Sequence, residues 1–198
     1  MPNNVPFKKK QRAKIRSKRV SLSKHEKKIA GQQLYKQTVT SPEFLRSQHI
    51  AFYLANDGEI DPTLIIQKAW SMGKVCYLPV LNPLSYSSLS FVKYKADTYL
   101  RKNRFNIPEP DLIRQHIRHP WALDLVFTPL VGFDNKGHRL GMGGGFYDRT
   151  FAFKLRNKCR KPLLVGLAYD FQKLDTLQTD AWDIRLEKVA TEKAFYAF

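Results

Sequence analysis

Arg139-Leu140-Gly141-Met142-Gly143-Gly144-Gly145-Phe146-Tyr147-Asp148-Arg149 packs four glycines into five residues and runs from them straight into aromatic and charged side chains. Glycine admits positive φ and leaves backbone N–H groups open to close approach, which is what a phosphate chain requires of a loop. Upstream, Asp124 to Pro129 is an apolar, β-favouring run, and downstream Tyr147 to Asn157 has helical composition with Phe151 and Leu155 four apart. The stretch is therefore predicted to join a strand to a helix N-terminus, where free N–H groups and the dipole favour anions. A plain tight turn is the competing reading.

Two better-known cradles are excluded by spacing. A dinucleotide fingerprint needs glycine where Phe146 stands, and a Walker loop needs Gly-Lys-Ser/Thr, which is absent. The flanks favour a nucleotide all the same. Arg139 offers a fork to phosphate oxygens, and Asp148 is a hard-oxygen ligand of the kind that suits the magnesium accompanying ATP.

Outward from the loop, elements alternate. Ser23 to Glu26 has capping-box spacing and opens a helix to about Thr38, with Ile29 and Leu34 turned inward. His49 to Leu54 reads as a strand, followed by Asp61 as N-cap and Pro62 at the first position of a helix that ends near Met72, with Gly73 just beyond it. Lys74 to Pro79 is a strand, Asn82 to Ser88 a loop, and Ser90 to Tyr94 a strand on a β-rich insert. Strands follow at 124 to 129 and 163 to 169, with a last one between Val189 and Tyr196. This alternation predicts right-handed βαβ units in an α/β fold: one three-layer αβα domain, residues 1–198, around a largely parallel sheet. Ligands in such folds sit at the carboxyl ends of strands. The loops carrying Glu59, the glycines and Asp183 are thus expected together.

Composition bounds the function classes. At 198 residues and 43% hydrophobic content, the chain suits one domain with an adequate core. No window approaches 18 uninterrupted apolar residues, so the expectation is a soluble, untargeted cytoplasmic protein. Cys76 and Cys159 read as reduced thiols. His116 and His119 have i, i+3 spacing without an evident third ligand and read as a surface pair. Asp134 and Asp170 stand in turn-like contexts and read as structural caps.

The formal charge of +17 raises nucleic-acid binding as a rival. Eleven Lys or Arg fall between Lys8 and Lys28 against one acid, Glu26. The segment lacks interleaved aromatics for base stacking and reads as a basic helix over about 8–20. Lys8 and Arg12, four apart, share a face of it.

Taken together, Pro129, Phe133, Asp134, Gly137, Arg139, Leu140, Gly141, Gly143, Gly145, Phe146, Tyr147 and Asp148 resemble the signature of the 5-formyltetrahydrofolate cyclo-ligase, or methenyltetrahydrofolate synthetase, family. The likeness extends through Glu59-Ile60-Asp61, Leu78-Pro79, Asn106 to Pro110, Val165 to Asp170 with Gln172, and Asp183 ahead of Val189 to Glu192. Trp182 stands where a histidine is frequent, and Gln178 where proline is usual. The resemblance implies ATP-dependent cyclisation of 5-formyltetrahydrofolate to 5,10-methenyltetrahydrofolate, with ADP and phosphate released by way of an imidoyl phosphate. By residue, it implies ATP contacts from Lys8 or a neighbour such as Lys9 or Lys10, from Arg12, and from Arg139 through Leu140, Gly141, Met142, Gly143, Gly144, Gly145 and Phe146 to Tyr147. Arg139 and Tyr147 would act in catalysis. Folate contacts would come from Leu54, Glu59 and Met142 to Phe146, while Asp148 and Asp183 would hold Mg2+. It further implies a monomer acting on folate with or without a polyglutamate tail, with no nucleic-acid or membrane partner. A non-enzymatic RNA-binding or folate-sequestering protein that keeps the loop for structure is the alternative.

Overall fold

A computed structural model describes residues 5–82, 85, 87–157 and 161–198. Cys159 and part of the 82–88 loop lie outside the described residues. Two helices open the chain, α1 (Val5–Ser21) and α2 (Lys24–Val39), separated by the capping box that Ser23 and Glu26 were expected to form. Then come α3 (Pro42–Arg46), β1 (His49–Ala51), α4 (Thr63–Ser71), β2 (Val75–Leu81) and β3 (Leu89–Tyr94). A small hairpin, β4 (Leu100–Lys102) with β5 (Pro108–Pro110), precedes β6 (Ile117–Arg118) and β7 (Leu125–Pro129). A second hairpin, β8 (Gly132–Phe133) with β9 (Arg139–Leu140), leads into α5 (Phe146–Thr150) and α6 (Phe153–Asn157). The chain closes with β10 (Leu163–Leu167), β11 (Lys188–Ala190) and β12 (Phe195–Ala197).

Among the described residues the main sheet runs β12-β11-β10-β7-β1-β2-β3-β6. Its central strands, from β11 across to β2, are parallel, and both flanks are antiparallel. Alternation along each strand sorts the core into two layers, as a sheet covered on both faces requires. Ile50, Cys76, Leu78, Leu125, Phe127, Val165 and Leu167 meet Leu34 of α2, Phe44 of α3, and Ile65, Ile66 and Ala69 of α4. Ala51, Tyr77, Val126, Leu164 and Val189 point the other way, onto Phe133, Phe151, Ile184 and Leu186. This is the expected α/β architecture.

Several local expectations shift. Leu34 faces inward as expected, but Ile29 is exposed and Ala30 and Gly31 are buried in its place. The strand at 90–94 belongs to the main sheet, and the insert is the β4–β5 hairpin. The last strand folds into the β11–β12 pair around Thr191, whose N–H donates to the Ala194 carbonyl. The helix expected over 147–157 is broken into α5 and α6. Thr150 Oγ1 donates back to the Phe146 carbonyl at 2.7 Å and accepts from Leu89 N, while Phe151 is drawn fully into the core.

Strand order reverses between β1 and β7, since the chain moves from β1 to β2 on one side and from β7 to β10 on the other. The crevice outside their carboxyl ends is the natural ligand position of such a sheet. Residues 52–60 leave β1 there, and the β8–β9 hairpin and glycine loop follow β7. Helix α1 lies over the same end, its Ile15 packed with Val131, Leu140 and Leu177.

Candidate active site

A cleft of about 1110 Å³ opens at this switch point. It brings together Lys8, Arg12, Leu54, Glu59, every residue from Arg139 to Arg149, and Asp183, so of the ligand contacts expected from the sequence Lys9 and Lys10 stay outside it. Burial along α1 shows why. Lys8, Arg12, Ile15 and Arg19 recur at helical spacing on the inner side, whereas Lys9 and Lys10 are exposed on the outer side. Lys8 Nζ is 2.9 Å from Asp180 Oδ2, and Arg12 Nε donates to the Gly141 carbonyl at 2.7 Å.

The glycine loop hangs between β9 and α5. Gly143 has φ +102° and Gly145 +63°, the left-handed region in which side chains are disfavoured. Among the described residues, the N–H groups of 141–145 donate to no backbone carbonyl. They remain available to a ligand. The helix that follows has only five residues, so the cradle depends on loop N–H groups and nearby cations more than on a helix dipole. Arg149 fastens the outer side of the loop: its NH2 donates to the Gly144 carbonyl, its Nε donates to Ser87 O at 2.7 Å, and its guanidinium lies over the Phe146 ring.

Arg139 is nearly buried. It donates through NH1 to the Ile184 carbonyl at 2.7 Å and through NH2 to Asp148 Oδ1 at 2.5 Å, where Ile184 N also donates. Asp183 accepts from Asp180 N at 2.9 Å through Oδ2. Beside them, burial first and the proximity of Glu59 second push the Tyr147 phenol well above its ordinary range. It is a neutral O–H donor throughout the physiological range.

The opposite wall is the 54–60 loop. Glu59 Oε2 accepts from Asn56 N at 3.1 Å, and Oε1 lies 3.9 Å from Arg19 NH1. Burial pushes the Glu59 carboxyl up to about 7 despite the Asn56 N–H and Arg19, which pull it down. Asp57 is gripped by Arg16 through both oxygens, at 2.6 and 3.1 Å, and by Arg19 at 2.7 Å; its carboxyl is held below the usual range, chiefly by Arg16. Leu54, packed against the core, also lines the cleft. From the β4–β5 hairpin, Phe105 meets Phe146 edge-on at 5.9 Å across the mouth of the cleft.

Asp134 and Asp170 are structural, as expected. Asp134 is buried and accepts from Lys136 N, His138 N and Leu177 N; Asp170 accepts from the Tyr196 hydroxyl at 2.6 Å. His116 and His119 are exposed, and His119 stacks on Trp121. Cys76 is buried, its thiol pushed up to about 12. Several lining residues have no role assigned from the sequence, among them Asn56, Asp57, Arg16, Phe105 and Asp180. Arg16 was legible as the next position along the Lys8–Arg12 face, while Phe105 and Asp180 carry no local signal.

A cradle of N–H groups and cations facing a recessed carboxylate suits two ligands held side by side, one of them polyphosphate. Residues 4–192 match the model of the 5-formyltetrahydrofolate cyclo-ligase family. The chain belongs to that family. A 5-formyltetrahydrofolate cyclo-ligase of Haemophilus influenzae is 42% identical over 175 residues, covering 88% of this chain and 92% of that one. One from Escherichia coli K12 is 40% identical over 177 residues, covering 89% and 96%. A solved 5,10-methenyltetrahydrofolate synthetase of Aquifex aeolicus superposes with a TM-score of 0.81 at 31% identity, over 96% of this chain and 92% of that one. A second, from Mycoplasma pneumoniae, gives 0.72 at 25% identity over 93% and 98%. Family membership makes this chain a folate enzyme, and among its described residues no helix is long and apolar enough to cross a membrane.

Proposed function

We propose that this cyclo-ligase family member spends ATP to convert 5-formyltetrahydrofolate to 5,10-methenyltetrahydrofolate, releasing ADP and phosphate. The observation that carries the reading is the shared cleft: the open glycine loop with Lys8, Arg12 and Arg139 on one wall, and Leu54 with Glu59 on the other.

A formamide oxygen is a poor leaving group. In the proposed sequence it attacks the γ-phosphorus and ADP departs; N10 then attacks the activated formyl carbon of the imidoyl phosphate, and phosphate leaves as the ring closes. The protein's contribution is alignment and charge neutralisation. N–H groups of 141–145 hold the triphosphate, and Lys8 and Arg12 balance its charge, Lys8 rather than Lys9 because only Lys8 reaches the cleft. Arg139 neutralises charge on the transferred group, and the neutral Tyr147 phenol donates a hydrogen bond beside it. Glu59 accepts from the pterin N–H edge, and Phe146 borders the formyl group.

The carboxylates fit magnesium. Asp148 Oδ2 and Asp183 Oδ1 make no hydrogen bond among the described residues, and both side chains line the cleft, an all-oxygen donor set. No three His, Cys, Asp or Glu side chains converge among the described residues, so nucleotide oxygens and water would complete the shell. When bound, the ion screens phosphate charge and orients the γ-phosphoryl group.

The test is direct. The near-ultraviolet absorbance of the methenyl product is expected to rise only when ATP, magnesium and 5-formyltetrahydrofolate are all present. A rise without ATP, or none with all three, would refute the reading.

A further inference from the structure

Arg19 is the one arginine whose side chain is completely buried among the described residues, and no step above uses it. Its NH2 donates to Asp57 Oδ2 at 2.7 Å, its NH1 donates to the Leu130 carbonyl at 3.3 Å, and the same NH1 lies 3.9 Å from Glu59 Oε1. One guanidinium therefore joins α1, the residue after β7 and the loop after β1. Burying a charge this completely is costly unless it is paired. The pairing it has chosen is the loop that carries Glu59.

That loop needs holding. Asp57 and Gly58 are consecutive left-handed residues, with φ +51° and +72°. Asp57 is not glycine, so its conformation persists only where the surroundings impose it. Arg16 and Arg19 impose it, clamping both carboxylate oxygens from positions on one helix. Gly58 closes against the same helix: a Cβ there would lie 3.1 Å from the Arg19 carbonyl oxygen. Glu59 is the next residue, so its direction into the cleft follows from this clamp.

At its other end α1 presents Lys8 and Arg12 to the glycine loop, about 16 Å away at 1.5 Å per residue. A single rigid helix thus borders both walls. We propose that Arg19 is a positioning residue that holds Glu59 at the folate wall by clamping the Asp57–Gly58 turn to α1. The proposal rests on the cyclo-ligation reading of the same cleft.

The experiment compares wild type, Arg19→Met, Arg19→Lys and Asp57→Asn in steady-state assays with each substrate varied in turn, alongside calorimetric binding of a non-hydrolysable ATP analogue. Arg19→Met is expected to raise KM for 5-formyltetrahydrofolate about tenfold, on the scale of one charged hydrogen bond, and to leave KM for ATP within about twofold. Arg19→Lys keeps a charge and one donor and should recover part of the loss. Asp57→Asn should raise the folate KM in the same direction. A folded Arg19→Met protein with normal analogue binding and unchanged folate KM, or with both KM values raised equally, overturns the proposal. Should Arg19→Met not fold, Asp57→Asn decides: an unchanged folate KM overturns the clamp. A wild-type chain that forms no methenyl product would defeat the cyclo-ligation reading first, and this inference with it.

Discussion

The two walls of the cleft are built from different materials. The 141–145 wall is backbone: two positive-φ glycines, free N–H groups, and a side chain, Met142, that stands at the rim half exposed. The 54–60 wall is side chain: Asp57 clamped by two arginines, Glu59 tied to Asn56, and the Tyr53 hydroxyl donating to the Ile60 carbonyl at 2.7 Å. A triphosphate presents the same oxygens all round, and many small donors at close range serve it. A heterocycle edge needs one acceptor aimed in one direction, and aim requires support from behind. The difference matches a loop shaped by what it must admit against a loop shaped by what holds it.

The strongest way to break this contrast lies where the backbone wall meets its first carboxylate. Asp148→Asn keeps an acceptor for Ile184 N but removes the charge that pairs with Arg139 and that the proposed magnesium would share. Turnover at saturating ATP and magnesium is expected to fall at least about 100-fold. Unchanged turnover would remove Asp148 from the chemistry.

Next is Glu59→Gln, which should raise the folate KM roughly tenfold and leave the ATP KM alone. It also carries a pH signature. The folded-state carboxyl stands at about 7 against an ordinary 4.5, so the stability associated with its protonated form is fully present below pH 4.5 and is lost as pH rises through 7. Between about pH 5 and about pH 8, the wild type should lose up to about 3 kcal/mol relative to Glu59→Gln. Urea midpoints of both proteins at the two pH values measure it, and parallel curves would show that the carboxyl is not desolvated.

The smallest effect sharpens the backbone side. A Cβ on Gly143 would lie 3.8 Å from the Arg12 guanidinium, an ordinary contact, so Gly143→Ala tests conformation without a clash. Left-handed strain of about 1–2 kcal/mol should raise the ATP KM several-fold with little change in Tm. A fall in Tm with an unchanged KM would mark the loop as a plain turn.

The backbone wall was legible in the sequence because its chemistry is contiguous: glycines, arginine and aspartate within eleven residues announce themselves without tertiary knowledge. The side-chain wall was not. Glu59 alone reads as a solvated loop acid, and only packing brings Arg19, forty positions earlier, against it. Helix register limited the reading of α1 in the same way. Lys8, Lys9 and Lys10 are equivalent until Ile15 is buried against Val131 and Leu140, which turns Lys8 inward. The broken helix after Tyr147 escaped because its cause is remote in sequence: Leu89 N, at the start of β3, hydrogen-bonds to Thr150.

The outward lysines of α1 have a consequence of their own. Lys9, Lys10, Lys14 and Lys18 do not line the cleft, yet both proposed ligands are anions, and a field is felt before contact is made. Positive charge stacked behind the entrance draws polyanions towards it over roughly the 8–10 Å that physiological salt allows. Those residues then govern how often a substrate arrives rather than how long it stays, and their influence fades as ionic strength rises.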